Sequence, residues 1–169
     1  MYTEDEVIEL LKALPPECEF IDYKQTGYKK DKQGYFIKDV ISMLNAYTAY
    51  GRNRFIIIGV DDNRELVGIS EEEIRDDNEY QNWINKISPR PIINTGQIKY
   101  GNKVFEIICI NKENDGQIYE LVQGVNIQPI HEGQTFYRQG SQNAVLTEEV
   151  RRKIRSSYFD ESKYREKLV

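Results

Sequence analysis

The feature that most constrains the fold is the apolar, β-branched run "RFIIIGV" at residues 54–60. A strand with one solvated face alternates apolar and polar residues, whereas a strand covered on both faces is apolar along its length. Residues 54–60 are therefore predicted to form a central strand. Asp61-Asp62-Asn63 follows directly and marks a sharp turn at the end of that strand.

Helix and strand patterns occur on both sides of this run. Thr3-Glu4-Asp5-Glu6 has the form of a capping box, and the helix that it begins ends at Pro15-Pro16. The spacing of apolar residues predicts further helices at 36–47, from Ser70, around 79–87 and from Thr147. Strands are predicted at 18–25, 96–100, 103–110, 117–122 and 134–139, with 66–69 as the return arm of a hairpin.

The composition indicates one folded domain and excludes some classes of function. The 169 residues are 30% charged and 39% hydrophobic, which is typical of a globular protein. The formal charge of −5 argues against a protein whose whole surface binds nucleic acid. A local basic patch remains open, because Lys24, Lys29, Lys30 and Lys32 fall within nine residues. The alternative is a solvated lysine-rich loop.

Other residues limit the chemistry that the chain can carry. Cys18 and Cys109 lie in predicted strands and are expected to be free thiols. His131 is the only histidine, so it is interpreted as structural and a histidine-based metal site is not expected. No apolar run is long enough to span a membrane, and the acidic N-terminal residues lack the apolar core of a signal peptide. A cytoplasmic location is therefore expected.

Asp22 and Lys24 are the best candidates for chemistry in the segment "ECEFIDYKQ" (17–25). Residues two apart in a strand point to the same side, so these two should project together. A carboxylate that holds a divalent cation beside a lysine that neutralises a phosphate suits phosphodiester cleavage. Asp61, at the end of the central strand, and Glu17 are the further metal-ligand candidates.

Each of these residues has a plainer interpretation. Most Asp-x-Lys pairs on strands are exposed pairs of little energetic value. Asp61-Asp62 is more often a turn than a pair of ligands. Glu17 has the wrong strand parity to share a face with Asp22, so it must reach the site from the strand's entry or across a bulge. Glu19 has the same parity as Glu17 and is its alternative.

Three segments together resemble one family, the Schlafen AlbA_2 (divergent AAA-4) domain. The segment 17–25 resembles the family's E-x-E-x-x-E-F-K opening. "LNAYTAYGRNRFIIIGVDDNRELVGI" resembles its A-F-A-N-x-G-G…I-G-V-D-D…V-G-I block, and "EGQTFYRQGSQNAVLTEEVRRKI" resembles its closing block. The resemblance covers roughly residues 5–155. It implies an α+β fold, a mixed β-sheet with flanking helices, as a single-lobe domain at 1–155 with a charged extension at 156–169.

The resemblance also implies site residues and a cofactor. Vertebrate members use this core as a metal-dependent endoribonuclease, and their three acids map onto Glu17, Asp22 and Asp61, with the accompanying lysine at Lys24. The expected cofactor is Mg²⁺ or Mn²⁺. The expected nucleic-acid-binding residues are Lys29, Lys30, Lys32, Arg52, Arg54, Arg138 and Ser141.

The chain departs from the family pattern at position 22, where Asp22 replaces the family's Glu and shortens its reach by one methylene, and again near residue 50. The family's Asn is assigned to Ala49, and its pair of glycines is reduced to Gly51. This weakens the prediction of ATP binding and leaves the three acids untouched. Vertebrate members have two such lobes and this chain has one, so a homodimer is expected. The charged tail is a further candidate for contact with a partner protein.

Two functions follow as hypotheses. The first is a divalent-metal-dependent endonuclease acting on RNA such as tRNA, serving as an effector of anti-phage defence. The second is a non-catalytic module that binds nucleic acid or a nucleotide, in which the acids are structural.

Overall fold

The structure, a computed structural model, describes residues 1–49, 51–112 and 115–156. Its helices are α1 (Glu4–Ala13), α2 (Gln33–Leu44), α3 (Asp77–Ile84) and α4 (148–156), with short 3₁₀ turns at Lys30–Lys32 and Glu71–Glu73. Its strands are β1 (Ile21–Lys24), β2 (Arg54–Ile58), β3 (Ile87–Ser88), β4 (Ile92–Tyr100), β5 (Lys103–Asn111), β6 (Glu120–Leu121), β7 (Phe136–Gln139) and β8 (Gln142–Val145).

The apolar run forms the second strand of a four-stranded sheet with the order β1-β2-β5-β4. β1 and β2 are parallel, while β2–β5 and β5–β4 are antiparallel, so the sheet is mixed. All five residues of β2 are buried, as the absence of alternation predicts. The expected α+β class with a mixed sheet and flanking helices is confirmed.

Helices cover both faces of this sheet. On one face, Val7 and Leu11 of α1 pack against Phe55 and Ile57. On the other face, α2 and α3 pack against Ile56 and Ile58. Side chains of alternate β2 residues therefore enter different cores, which explains why the strand is apolar at each position from Phe55 to Ile58.

Two short sheets complete the fold beside α2. β3 pairs with β6, and β7 forms a hairpin with β8. Asn45, at the end of α2, is 1% exposed, and its amide donates to the carbonyls of Tyr119 and Phe136 and accepts from the Tyr119 N–H. This buried amide fastens the end of α2 to the chain before β6 and to β7. The sequence resemblance assigned the family's Asn to Ala49, yet the buried asparagine in this region is Asn45.

Several predicted boundaries were wrong for local reasons. β1 begins at Ile21 because the Cys18 N–H bonds the Ile21 carbonyl across a tight turn. The helix predicted from Ser70 is a single 3₁₀ turn, although its capping box with Glu73 is present. Residues 66–69 make isolated bridges and no strand.

The end of the chain shows both a predicted and an unpredicted element. β8 was not predicted, whereas the helix from Thr147 is confirmed as α4, whose Val150 and Ile154 pack beside Leu146. Most of the proposed extension, 157–169, lies outside the described residues. In the part of the chain that the structure describes, no helix has the length and apolar character needed to cross a membrane.

Candidate functional site

Asp22 and Lys24 lie on the same face of β1, as strand alternation predicts. The Lys24 Nζ is 3.2 Å from Oδ2 of Asp22. The other carboxylate oxygen of Asp22, Oδ1, accepts a hydrogen bond of 2.9 Å from Nη2 of Arg138 on β7. Asp22 is 4% exposed and Arg138 is also 4% exposed, so this second pair is shielded from water. Both oxygens of Asp22 therefore face cations of the protein itself.

Asp39 of α2 extends these pairs into a closed ring. Its Oδ2 lies 3.3 Å from Nζ of Lys24, and its Oδ1 accepts from Nδ2 of Asn143 at 2.8 Å. The Oδ1 of Asn143 accepts in turn from Nη1 of Arg138 at 3.0 Å. We call Asp22, Lys24, Asp39, Asn143 and Arg138 the charge ring. It joins β1, α2 and the β7–β8 hairpin.

The electrostatics of the charge ring are balanced, since two acids face two bases. Burial opposes the charge on Lys24, but the carboxylates of Asp39 and Asp22 outweigh it and raise the pKa of Lys24 above its ordinary value. Tyr28 donates to Oδ2 of Asp39 at 2.5 Å, and burial followed by the charge of Asp39 raises the pKa of Tyr28. The acids are therefore held among cations and hydrogen-bond donors.

Oδ2 of Asp22 differs from the other carboxylate oxygens of the ring. It is buried and accepts no well-aligned hydrogen bond from the described residues. The Lys24 ammonium at 3.2 Å is close enough for an ion pair, so charge alone compensates this oxygen. It is the least satisfied atom of the charge ring.

Glu17 lies beside this ring but outside β1. Because the chain turns between Cys18 and Ile21, strand parity does not apply to Glu17, and its Oε1 accepts from the Tyr23 N–H at 3.1 Å. Burial raises the pKa of Glu17; the Tyr23 N–H lowers it, and the charge of Asp22 raises it further. Glu19 instead accepts from the Gly140 N–H at the tip of the β7–β8 hairpin.

Asp61 lies at the end of the central strand, and its carboxylate stabilises the turn there. Its Oδ1 accepts from the N–H groups of Asn63 and Glu65 at 2.9 and 2.8 Å. Glu17 and Asp61 line one cleft of about 320 Å³, together with Ser141 and Arg64. Asp22 is not among the residues that line it. The structure thus brings Glu17 close to Asp22 and opens Glu17 and Asp61 onto one cleft.

These acids do not fit a divalent cation as they are arranged. Both oxygens of Asp22 are matched to protein cations, and an Asp61 oxygen is used by backbone N–H groups. Within residues 1–49, 51–112 and 115–156, no three acidic, histidine or cysteine side chains are grouped so as to hold a metal ion. A divalent ion needs free carboxylate oxygens, and the charge ring offers it none.

The residues predicted to bind nucleic acid lie at separate places in the structure. Lys29, Lys30 and Lys32 are exposed beside the carboxyl end of β1. Arg52 is exposed near the opposite end of the β1–β2 pair, with its guanidinium 4.0 Å from the Phe20 ring. Ser141 is exposed at the hairpin tip.

Arg54 and Arg138 are buried, and their donors point inward. Arg54 is 1% exposed and donates to the Ala46 carbonyl, so it does not reach the surface where a phosphate would bind. Arg138 is engaged by Asp22, by Asn143 and by the Cys18 carbonyl. Both arginines therefore lie beneath the surface.

Asp39 and Asn143 were not identified from the sequence. Asp39 is the only acid in α2, within the otherwise apolar segment "FIKDVISML", and that is the signal that was available. A carboxylate on the buried side of a helix needs a partner, which in this case is Lys24 and Asn143. Asn143 had no such signal, because its strand β8 was not predicted.

Comparisons with known proteins agree with this fold. A protein-family model described as "Schlafen, AlbA_2" matches residues 17–147. The crystal structure of the DIP2311 protein from Corynebacterium diphtheriae is similar at a TM-score of 0.52 and 13% identity, over 84% of this chain and 26% of that protein. This chain thus corresponds to about a quarter of that protein's length.

A second solved structure is similar over nearly all of its length. It is the N-terminal domain of a putative ATP-dependent DNA helicase RecG-related protein from Nitrosomonas europaea, with a TM-score of 0.46 and 15% identity. It is covered over 97% of its chain and 88% of this one. A search of curated proteins gave no match.

Proposed function

The chain belongs to the Schlafen, AlbA_2 family, whose functions are related to nucleic acid, and on that premise we propose that it binds nucleic acid through residues 24–38. The observation that carries the proposal is the charge of this segment. It contains five lysines, of which all but Lys24 lie outside the charge ring, and a single exposed acid, Asp31, in a chain whose formal charge is −5. We call it the lysine face.

The fold keeps the positive charge of the lysine face at the surface. Lys29, Lys30 and Lys32 are exposed, and among the described residues only Lys30 has an acidic neighbour, Glu79 at 3.5 Å. The buried acids nearby, Asp22 and Asp39, are already matched within the charge ring. Their negative charge therefore offsets little of the field that a phosphate would meet. Contacts of this kind with phosphates supply sequence-independent affinity that weakens as salt rises.

The test is the salt dependence of binding. A fluorescein-labelled RNA of mixed sequence is titrated with the protein at several salt concentrations, and anisotropy gives the affinity. Replacing Lys29, Lys30 and Lys32 together by Gln should lower the affinity and reduce the slope of log K against log salt by about 2–3, roughly one per lost phosphate contact.

A matched control separates local from overall charge. Replacement of Lys12, Lys99 and Lys103 by Gln makes the same change in net charge at exposed positions outside residues 24–38. An equal loss of affinity in both triple variants would contradict the assignment to the lysine face. Absence of RNA and DNA binding at low salt would reject the proposed function itself.

We propose RNA cleavage dependent on Mg²⁺ or Mn²⁺ as a second candidate function. The observation that favours it is the cleft shared by Glu17 and Asp61. It requires Asp22 to leave its pairs with Arg138 and Lys24. The test is to incubate the protein and a Glu17→Gln variant with total tRNA, in the presence of Mn²⁺ or of EDTA. Cleavage that neither EDTA nor the substitution reduces would reject this candidate.

The homodimer expected from the resemblance is also a proposal. Two copies would place two lysine faces in one assembly, which would bind a longer nucleic acid more tightly. Sedimentation velocity at several protein concentrations tests it, and a monomer at every concentration would reject it.

A further inference from the structure

Tyr35 holds an unusual position on the lysine face. Its side chain is 47% exposed, and it is the one exposed aromatic residue in the described part of the chain. Exposure of a single apolar side chain is common and indicates nothing alone. The position of the ring relative to charged groups is what gives it significance.

Lysines lie three positions before and three positions after Tyr35 in the sequence. The Lys32 Nζ is 5.3 Å from the ring centroid. Lys38 lies one turn later on α2, where residues three apart are neighbours on the helix surface, and its Nζ is 4.6 Å from the centroid of the Phe136 ring. Asp39, at the next such position, holds Lys24 in the charge ring. Tyr35 therefore lies between Lys32 and Lys38 on the lysine face, and the next helical position, Asp39, belongs to the charge ring.

This arrangement distinguishes two forms of nucleic acid. In a duplex the base faces are stacked inside, so the protein meets phosphates, sugars and groove edges. In a single strand the base faces are open and stack on aromatic side chains while cations follow the backbone. A duplex would use the lysines and leave Tyr35 without a partner.

The contact between Lys32 and Tyr35 does not prevent stacking. An exposed cation–π contact contributes about 0.5–1 kcal/mol. A base stacked on an aromatic side chain contributes about 1–3 kcal/mol, and the displaced ammonium gains a phosphate. Replacing the Lys32–Tyr35 contact by a stacked base and a Lys32–phosphate pair is therefore favourable.

We infer that the lysine face takes a single-stranded segment of nucleic acid, with one base stacked on Tyr35 and the adjacent phosphates on Lys32 and Lys38. This inference rests on the proposed function and adds the form of the ligand to it.

The test compares two probes and two variants. A labelled 12-nucleotide oligouridine and a labelled RNA duplex of 12 base pairs are titrated at the same low salt. The protein should bind the single strand more tightly, and Tyr35→Ala should weaken that binding about tenfold or more. Tyr35→Trp should retain it, because the indole also stacks, and Val145→Ala, at another exposed apolar position, should have no effect.

The outcomes separate this inference from the function on which it rests. Equal affinity for both probes with sensitivity to the lysine triple variant would overturn the single-strand inference and support nucleic-acid binding. Unchanged single-strand binding by Tyr35→Ala, with an unchanged melting temperature, would also overturn it. If the protein bound neither probe, the proposed function would be rejected, and the single-strand inference with it.

Discussion

Arg138 and Asp22 are 116 positions apart in the sequence, and Nη2 of the first lies 2.9 Å from Oδ1 of the second. Their side chains are 3% and 5% exposed. The pair links the first strand of the central sheet to a hairpin near the end of the described chain. Its partner Asn143 connects both to Asp39 of α2, so one set of polar contacts holds three separate elements together.

Removing one member of this pair should be costly. Arg138→Met leaves Asp22 buried with only Lys24, and the free energy of unfolding should fall by about 3–5 kcal/mol. Urea denaturation measures it. Arg151→Met is the control, since its contact with Glu120 at 3.8 Å is largely exposed and should contribute less than about 1 kcal/mol. The double variant Asp22→Asn/Arg138→Met should lose less unfolding free energy than the sum of the losses in the two single variants. A loss equal to that sum would show that the two side chains are not coupled.

Glu106 should make stability depend on pH. Burial raises its pKa above 4.5, although Tyr80 and the Arg75 N–H donate to its carboxylate and oppose this. Because the folded state holds this proton more tightly, its contribution is complete below pH 4.5 and is lost as pH rises through the folded pKa.

Glu106→Gln should therefore show a smaller loss of unfolding free energy between pH 4.5 and 7 than the parent. Urea melts at several pH values test this, with Glu149→Gln as an exposed control. A parent whose stability does not fall across this range would contradict the prediction.

The buried guanidinium of Arg54 should lower the free energy of unfolding. It is 1% exposed, burial lowers its pKa to about 10, and its Nε and Nη1 donate to no acceptor among the described residues. Arg54→Met retains the volume and removes the buried cation, so we expect a gain of about 1–3 kcal/mol in thermal or urea unfolding. RNA affinity should not change. If Arg54→Met lowered RNA affinity as much as the lysine triple variant, Arg54 would have to be counted among the residues that bind RNA.

Gly34 should not tolerate a methyl group. A Cβ there would lie 1.7 Å from the Gln128 carbonyl oxygen, which packs directly on α2. Alanine normally stabilises a helix by about 0.5–1 kcal/mol relative to glycine, but here overpacking of about 1–3 kcal/mol should outweigh it. Asn82→Ala, at an exposed position of α3, is the control for helix propensity in thermal melts. Equal stability of the two variants would contradict the close approach.

The sequence allowed the central sheet to be predicted because its signal is local. Residues 55–58 are apolar at every position, and the β4–β5 pair surrounds an evident turn at Gly101-Asn102. The helix predicted from Ser70 was wrong because its acids match a helix start, while no apolar spacing follows to bury a longer helix. Local patterns define elements only where burial accompanies them.

The candidate site was predictable only in part, because its contacts are long-range. Asp22 and Lys24 share a face through two-residue alternation, which the sequence shows directly. The contacts from Arg138 to Asp22 and from Asn143 to Asp39 join residues 116 and 104 positions apart, which no local pattern encodes. Arg54 begins an apolar strand and was expected to contact phosphate, but it is buried and donates to the carbonyl of Ala46, after the end of α2.

The charge ring has a consequence for the newly made chain. Asp22, Lys24 and Asp39 leave the ribosome together, and Arg138 follows Asp22 by 116 residues, roughly 6–23 s at about 5–20 residues per second. During that interval two carboxylates share one lysine, so the nascent domain has an unmatched negative charge where its interior must close. The β7–β8 hairpin carries Arg138, so the charge ring can form only after this hairpin has been synthesised.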